Sequence, residues 1–140
     1  MAIFQRHFSC DEANGMLPAL RDWFAELHRL EAELAAERAR VEPVLALRQH
    51  DVGGPVLHAY LMLWMRWRHF LDLVLKTGVQ VKDLERGLID FPHLREDTGE
   101  EVLLCWELSE PTVSHWHPVD AGYAGRQPLR RLQQPEEHDP

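Results

Sequence analysis

The segment from Cys105 to Leu129, CWELSEPTVSHWHPVDAGYAGRQPL, gathers two Trp, two His, one Asp, one Arg and two Gly. It is too polar for a core and too aromatic for a disordered tail. Such a mixture suits a site: aromatic walls, a few ionisable groups, and glycine where the backbone must bend tightly. His115, His117 and Asp120 offer two imidazoles and a carboxylate, donors that suit a divalent transition metal such as Zn, Fe, Mn or Ni, and Asp90 from an upstream segment could join them. In the blander alternative, His117 bonds a backbone carbonyl or Asp120 and only fixes the loop. Arg126 presents a guanidinium fork for a carboxylate or phosphate, so a small anionic ligand is one expected partner. Gly122 and Gly125 would let backbone N–H groups approach the same anion. The competing reading pairs Arg126 with Asp90 and pins the loop to the Gly87–Phe91 segment.

Nucleophilic chemistry has less support. Cys105 falls in the middle of an expected strand, where a thiol is usually inert packing. Cys10 falls in the first turn of an expected helix, but Asp11 and Glu12 oppose the thiolate. No Ser/His/Asp arrangement can be defended, and no Glu-x-x-His helical pair points to a di-iron bundle.

Strand phasing decides which of these groups can meet. Val102–Leu108 and Val113–His117 read as two strands joined across Ser109–Thr112. With Glu110-Pro111 at the tip, Leu104 would face His117, Trp106 would face His115, and Leu108 would face Val113. Alternation then puts His115 and His117 on one face with Leu104 and Trp106. Cys105 goes to the other face with Leu103, Glu107, Ser114 and Trp116. A shared Cys105–His117 metal site would need a one-residue slip of register, and the two cysteines supply no Cys-x-x-Cys pair.

The elements that must position these groups are legible upstream. Ser9-Cys10-Asp11-Glu12 reads as a capping box. Leu20, Phe24, Leu27, Leu30 and Leu34 then recur at helical spacing to about Val41, with Pro18 and Pro43 as points of kinking or breakage. His50–Pro55 is a break, and a second helix is expected from about Pro55 to Lys76, ending near Gly78. Leu57, Tyr60, Leu61, Trp64, Trp67, Phe70, Leu71 and Val74 form its stripe, widened by Leu63, Leu73 and Leu75. That surplus predicts self-association through the helices as a homo-oligomer. Val79–Val81 and Gly87–Phe91 look extended, and Glu96–Glu100 is a turn.

Bulk properties bound the rest. The chain has 140 residues and a formal charge of −8, which favours one domain and argues against nucleic acid as a partner. No apolar run approaches the roughly 20 residues that span a bilayer, so no membrane partner is expected. The start lacks a secretory signal, and two cysteines make no disulfide framework, so the expected location is the cytoplasm.

Four blocks carry a family resemblance: Phe8–Asn14 with Leu17-Pro18; Val81–Pro92; Val102–Trp106 with Glu110-Pro111; and Trp116–Leu129, WHPVDAGYAGRQPL. On these residues the chain resembles DUF2203, a bacterial family of uncharacterised proteins. Leu84 stands where the family pattern has Pro, and Cys10-Asp11 is unusual at the start. The resemblance implies a long helical hairpin followed by a compact β element, and it implies no activity.

The expectation is therefore an α+β chain: a long antiparallel helical hairpin (about 9–77), a small antiparallel sheet with a structured C-terminal loop (about 79–129), all one domain over 1–132, and a flexible tail over 133–140. Its leading function is a binding module with a ligand site where Gly87–Pro92 meets Trp116–Gln127, using Asp90, Trp116, Tyr123 and Arg126. The alternative is a small metal-dependent enzyme, hydrolytic or redox, with His115, His117 and Asp120 as ligands.

Overall fold

The computed structural model describes residues 2–46 and 54–133. The expected break at His50–Pro55 falls largely outside these residues, as does nearly all of the expected tail. The architecture is α+β. Helix α1 (Cys10–Ala46) and helix α2 (Pro55–Lys76) precede strands β1 (Gln80–Asp83), β2 (Leu88–Leu94), β3 (Glu101–Glu107), β4 (His115–Pro118) and β5 (Gln127–Pro128), with a short helix α3 (Leu129–Gln133) last. The strands form one antiparallel sheet in chain order. Among the described residues no helix is long and apolar enough to cross a membrane.

The chain divides into two compact units, one of residues 1–19 with 75–140 and one of residues 20–74. In the first, the capping box forms as expected: Glu12 N–H donates to Ser9 Oγ at 3.0 Å and Ser9 N–H to Glu12 Oε1 at 3.2 Å. Just before it, Phe8 is fully buried, packs edge-on against Phe91, and donates its N–H to the Pro92 carbonyl at 2.7 Å. His93 Nδ1 lies 2.7 Å from the Phe8 carbonyl, so the helix entry is clamped to β2 from both sides. Glu101 accepts the N–H groups of Ile3 and Phe4 and so ties the N-terminal segment to β3.

One face of this sheet is apolar. Ile89 pairs with Trp106, Phe91 with Leu104, and Leu104 with Trp116, all buried. The opposite face carries Asp90 paired with Cys105, Cys105 with His115, and Leu103 with His117. The β3–β4 register is thus one residue away from the phasing read from the sequence. The Leu108–Ser114 connection is longer than the tip expected at Glu110-Pro111. Three contacts shape it: Val113 N–H donates to Asn14 Oδ1 at 2.8 Å, Trp106 Nε1 donates to the Glu110 carbonyl at 3.0 Å, and Glu107 N–H donates to Glu110 Oε1 at 2.8 Å. Val113 is thereby spent on α1 and not on the ladder. The slip exchanges faces, because side chains alternate along a strand.

The second unit holds Leu20, Phe24, Leu27, Leu30 and Val41 of α1 and Val74 of α2 fully buried. α1 passes unbroken through Pro18 and Pro43, where the sequence suggested kinks or ends. α2 matches its expected span. Its covered row runs Leu57, Tyr60, Leu63, Trp67, Phe70 and Val74, with Trp67 Nε1 donating to Glu31 at 3.3 Å. Trp64 and Met65 fall outside that row and are 48% and 60% exposed.

Gly87, in the β1–β2 turn, has φ +66°, and a Cβ built there would lie 2.7 Å from Leu108 Cβ. Gly99 has φ +71° with nothing within 4 Å. Gly99→Ala should cost about 1–2 kcal/mol for the left-handed backbone alone. Gly87→Ala should cost roughly 1–3 kcal/mol more through overpacking. Urea unfolding of the two variants side by side checks the order; equal losses would contradict it.

Candidate functional site

Asp90 of β2, Cys105 of β3 and His117 of β4 share the second face of the sheet, and the register makes them neighbours. Asp90, Cys105 and His117 are only 1%, 1% and 3% exposed. Their ligating atoms all lie within 4.8 Å of one another. His117 Nε2 is 3.1 Å from Asp90 Oδ2, and His117 Nδ1 is 2.9 Å from the Pro118 carbonyl. A carbonyl only accepts, so Nδ1 carries the hydrogen and Nε2 is the nitrogen turned to the carboxylate. Asp90 Oδ1 is buried with no hydrogen-bond partner. Burial, and after it the neighbouring Asp90 charge, push the Cys105 thiol up to about 12; Arg126 opposes that shift.

A strap closes over this face. After Pro118 the chain turns, with Ala121 N–H donating to the Pro118 carbonyl at 3.0 Å, and passes into a single 3-10 turn at Tyr123–Gly125. Gly125 is required there, since a Cβ would lie 2.7 Å from Ala121 Cβ. The Tyr123 ring is held between two guanidinium groups, Arg86 at 4.7 Å and Arg126 at 4.8 Å, and its hydroxyl donates to Glu107 at 3.3 Å. Between strap and sheet lies a cavity of about 350 Å³, walled by Leu88, Leu103, Val119 and Tyr123. Asp90, Cys105 and His117 also line it, and Lys82 and Asp120 contribute charges.

The residues singled out from the sequence are distributed as follows. His117, Asp90, Asp120 and Tyr123 meet at this cavity. His115 lies on the same face but is taken up by Ser114 Oγ at 2.8 Å and Glu110 at 3.3 Å. Trp116 belongs to the opposite face, with the Arg95 guanidinium 5.8 Å from its ring, because the register places it beside Leu104. The Asp90–Arg126 ion pair does not form. Asp90 faces His117, whereas Arg126 donates to the Cys105 carbonyl and to Glu110 Oε1. The Gly125 N–H is used inside the strap on the Gly122 carbonyl, so it is not offered to an anion. Cys105 is the residue that sequence reasoning set aside; the one-residue slip brings it to His117.

A five-stranded antiparallel meander with a buried carboxylate, thiol and imidazole beneath a C-terminal strap defines the class of α+β protein. The chain belongs to the family described as uncharacterized conserved protein (DUF2203), whose family model matches residues 6–129. No curated protein and no solved structure matches it.

Arg126 is the fastening between strap, β3 and the Glu110 loop. Arg126→Met should lower unfolding free energy by about 1.5–3 kcal/mol, the range for hydrogen bonds to charged groups. A loss under about 0.5 kcal/mol in chemical denaturation, the size of a neutral surface change, would show that the fastening is elsewhere.

Proposed function

We propose that the protein is a small-ligand binding module whose pocket lies between the second face of the sheet and the Val119–Gly125 strap. One observation carries this: ionisable side chains, Asp90 and His117, are buried almost completely at the edge of a preformed cavity. Burying such groups costs stability, and positions where a fold tolerates that cost are candidates for binding or chemistry. The volume, about 350 Å³, lies at the small end of ligand pockets, so the fitting occupant is a small polar metabolite and not an extended chain. Apolar walls at Leu88, Leu103 and Val119 with a polar floor provide burial and orientation together. Binding is favoured over nucleophilic catalysis because Cys105, held near 12, is a neutral thiol at ordinary pH. The anion-directed variant of this reading is weakened, because the Arg126 fork already faces Glu110 and a carbonyl.

A thermal-shift screen with small polar metabolites tests the reading. At least one compound at a hundredfold excess over its Kd should add about 2.7 kcal/mol of stability, a shift of several degrees. Val119 is partly exposed and lines the cavity, so Val119→Trp should fill the pocket, keep the fold, and abolish that shift. An equal shift in Val119→Trp, or no response across the screen, would count against the pocket.

A further inference from the structure

Asp90 Oδ2 and His117 Nε2 stand 3.1 Å apart, and the Pro118 carbonyl holds the imidazole hydrogen on Nδ1. Two lone pairs therefore point at one another unless something positive lies between them. A proton on Nε2 would serve, making an imidazolium–carboxylate pair. It would leave Asp90 Oδ1 as it is, buried and without a hydrogen-bond partner, and would leave the thiol of Cys105 only a weak donor toward Asp90. A metal ion accounts for all three groups together. It takes the Nε2 lone pair of an imidazole whose other nitrogen is fixed by a carbonyl, the usual support for a ligating histidine. It takes a carboxylate oxygen from the nearly fully buried Asp90, and it takes the sulfur of Cys105.

We propose that Asp90, Cys105 and His117 bind one divalent transition-metal ion, with Zn²⁺ as the best match, and that the remaining coordination position faces the cavity beneath the strap. This rests on the reading of that cavity as a binding site and names what its floor would hold. The donor set is one soft sulfur, one imidazole nitrogen and one carboxylate oxygen, which suits zinc better than magnesium or calcium. Three protein ligands plus one open position is the pattern of zinc sites that bind an exogenous molecule. The ligating atoms lie within 4.8 Å of one another. A tetrahedral ion with its usual bond lengths needs them about 3.3–3.6 Å apart, so the widest pair closes by at most about 1.2–1.5 Å. Three strands of one sheet hold the ligands, and the adjustment is within side-chain reach. Charge also balances: a dication with one carboxylate, one thiolate and a neutral imidazole sums to zero, the state that burial favours. On binding, the Cys105 S–H bond breaks, its electron pair forms the metal–sulfur bond, and the proton leaves to solvent. A proton held between Asp90 and His117 leaves in the same way.

The ligand set differs from the one suggested by the sequence, and the test is built on that difference. Untagged protein is stripped with chelator and titrated with CoCl₂. Uptake of one Co²⁺ per chain with a thiolate-to-cobalt charge-transfer band is the expected result, with Zn²⁺ displacing the cobalt and abolishing the band. Cys105→Ser should lose the band, and Asp90→Asn and His117→Ala should each weaken uptake by about 10–100-fold or more. His115→Ala should change neither, and Asp120→Asn should keep the band. Melting curves of the stripped variants establish that each is folded. Folded wild-type protein that takes up no cobalt or zinc overturns the proposal on its own, whatever the variants do. So does a band that survives Cys105→Ser, or uptake that depends on His115 and Asp120 but not on Asp90. The metabolite screen with Val119→Trp reads the pocket separately, so a chain that binds a metabolite but no metal refutes only the metal.

Discussion

Val113 gives its backbone N–H to Asn14 Oδ1, 2.8 Å away, and not to the neighbouring strand. That single hydrogen bond, together with the two that Trp106 and Glu107 make to Glu110, determines where β4 begins. Had pairing started at Val113 across a tighter tip, Trp116 would face the polar side and His117 the apolar core. With the observed start, Trp116 joins Leu104 and Trp106 in the core, and His117 comes to lie beside Cys105 and Asp90. The apolar face and the polar face are thus specified together, because in a strand neither can shift without the other. The approach of His117 to Cys105 and Asp90 depends on this register.

The polar face is an expensive construction. Asp90 lies between strands with Oδ2 facing an imidazole and Oδ1 buried without a hydrogen-bond partner among the described residues. Unpartnered buried oxygens typically destabilise by about 1–3 kcal/mol. Around this cluster Arg86, Arg126, Tyr123, Glu107 and Glu110 form a connected set of ion pairs, ring contacts and hydrogen bonds along the rim, with Arg126 Nε itself buried and without a hydrogen-bond partner.

Much of this architecture is readable from local chemistry. The capping box at Ser9, the bounds of α2 between Pro55 and Gly78, and the strand at Val102 all follow from neighbours within a few residues. Neither Pro18 nor Pro43 ends α1. Pro18 and Pro43 each remove a helical hydrogen bond, but α1 runs through both, because tertiary packing can outweigh a loss of roughly 3 kcal/mol. The register is beyond local reading altogether. Asn14 and Val113 are 99 positions apart, and neither residue type announces the bond. The sequence thus singles out the two segments, Gly87–Pro92 and Trp116–Gln127, that supply Asp90 and His117 to the cavity, but its phasing puts Cys105 on the other face of the sheet from His117.

The tryptophans divide between the two compact units. Trp106 and Trp116 are buried in the sheet, whereas Trp64 is half exposed and Trp23 and Trp67 are partly covered in the hairpin. A collisional quencher such as iodide would reach the helical fluorophores and leave the emission of Trp106 and Trp116 nearly intact. The chain thus carries an intrinsic optical label for each half, and the melting order of the halves can be read from one unlabelled sample.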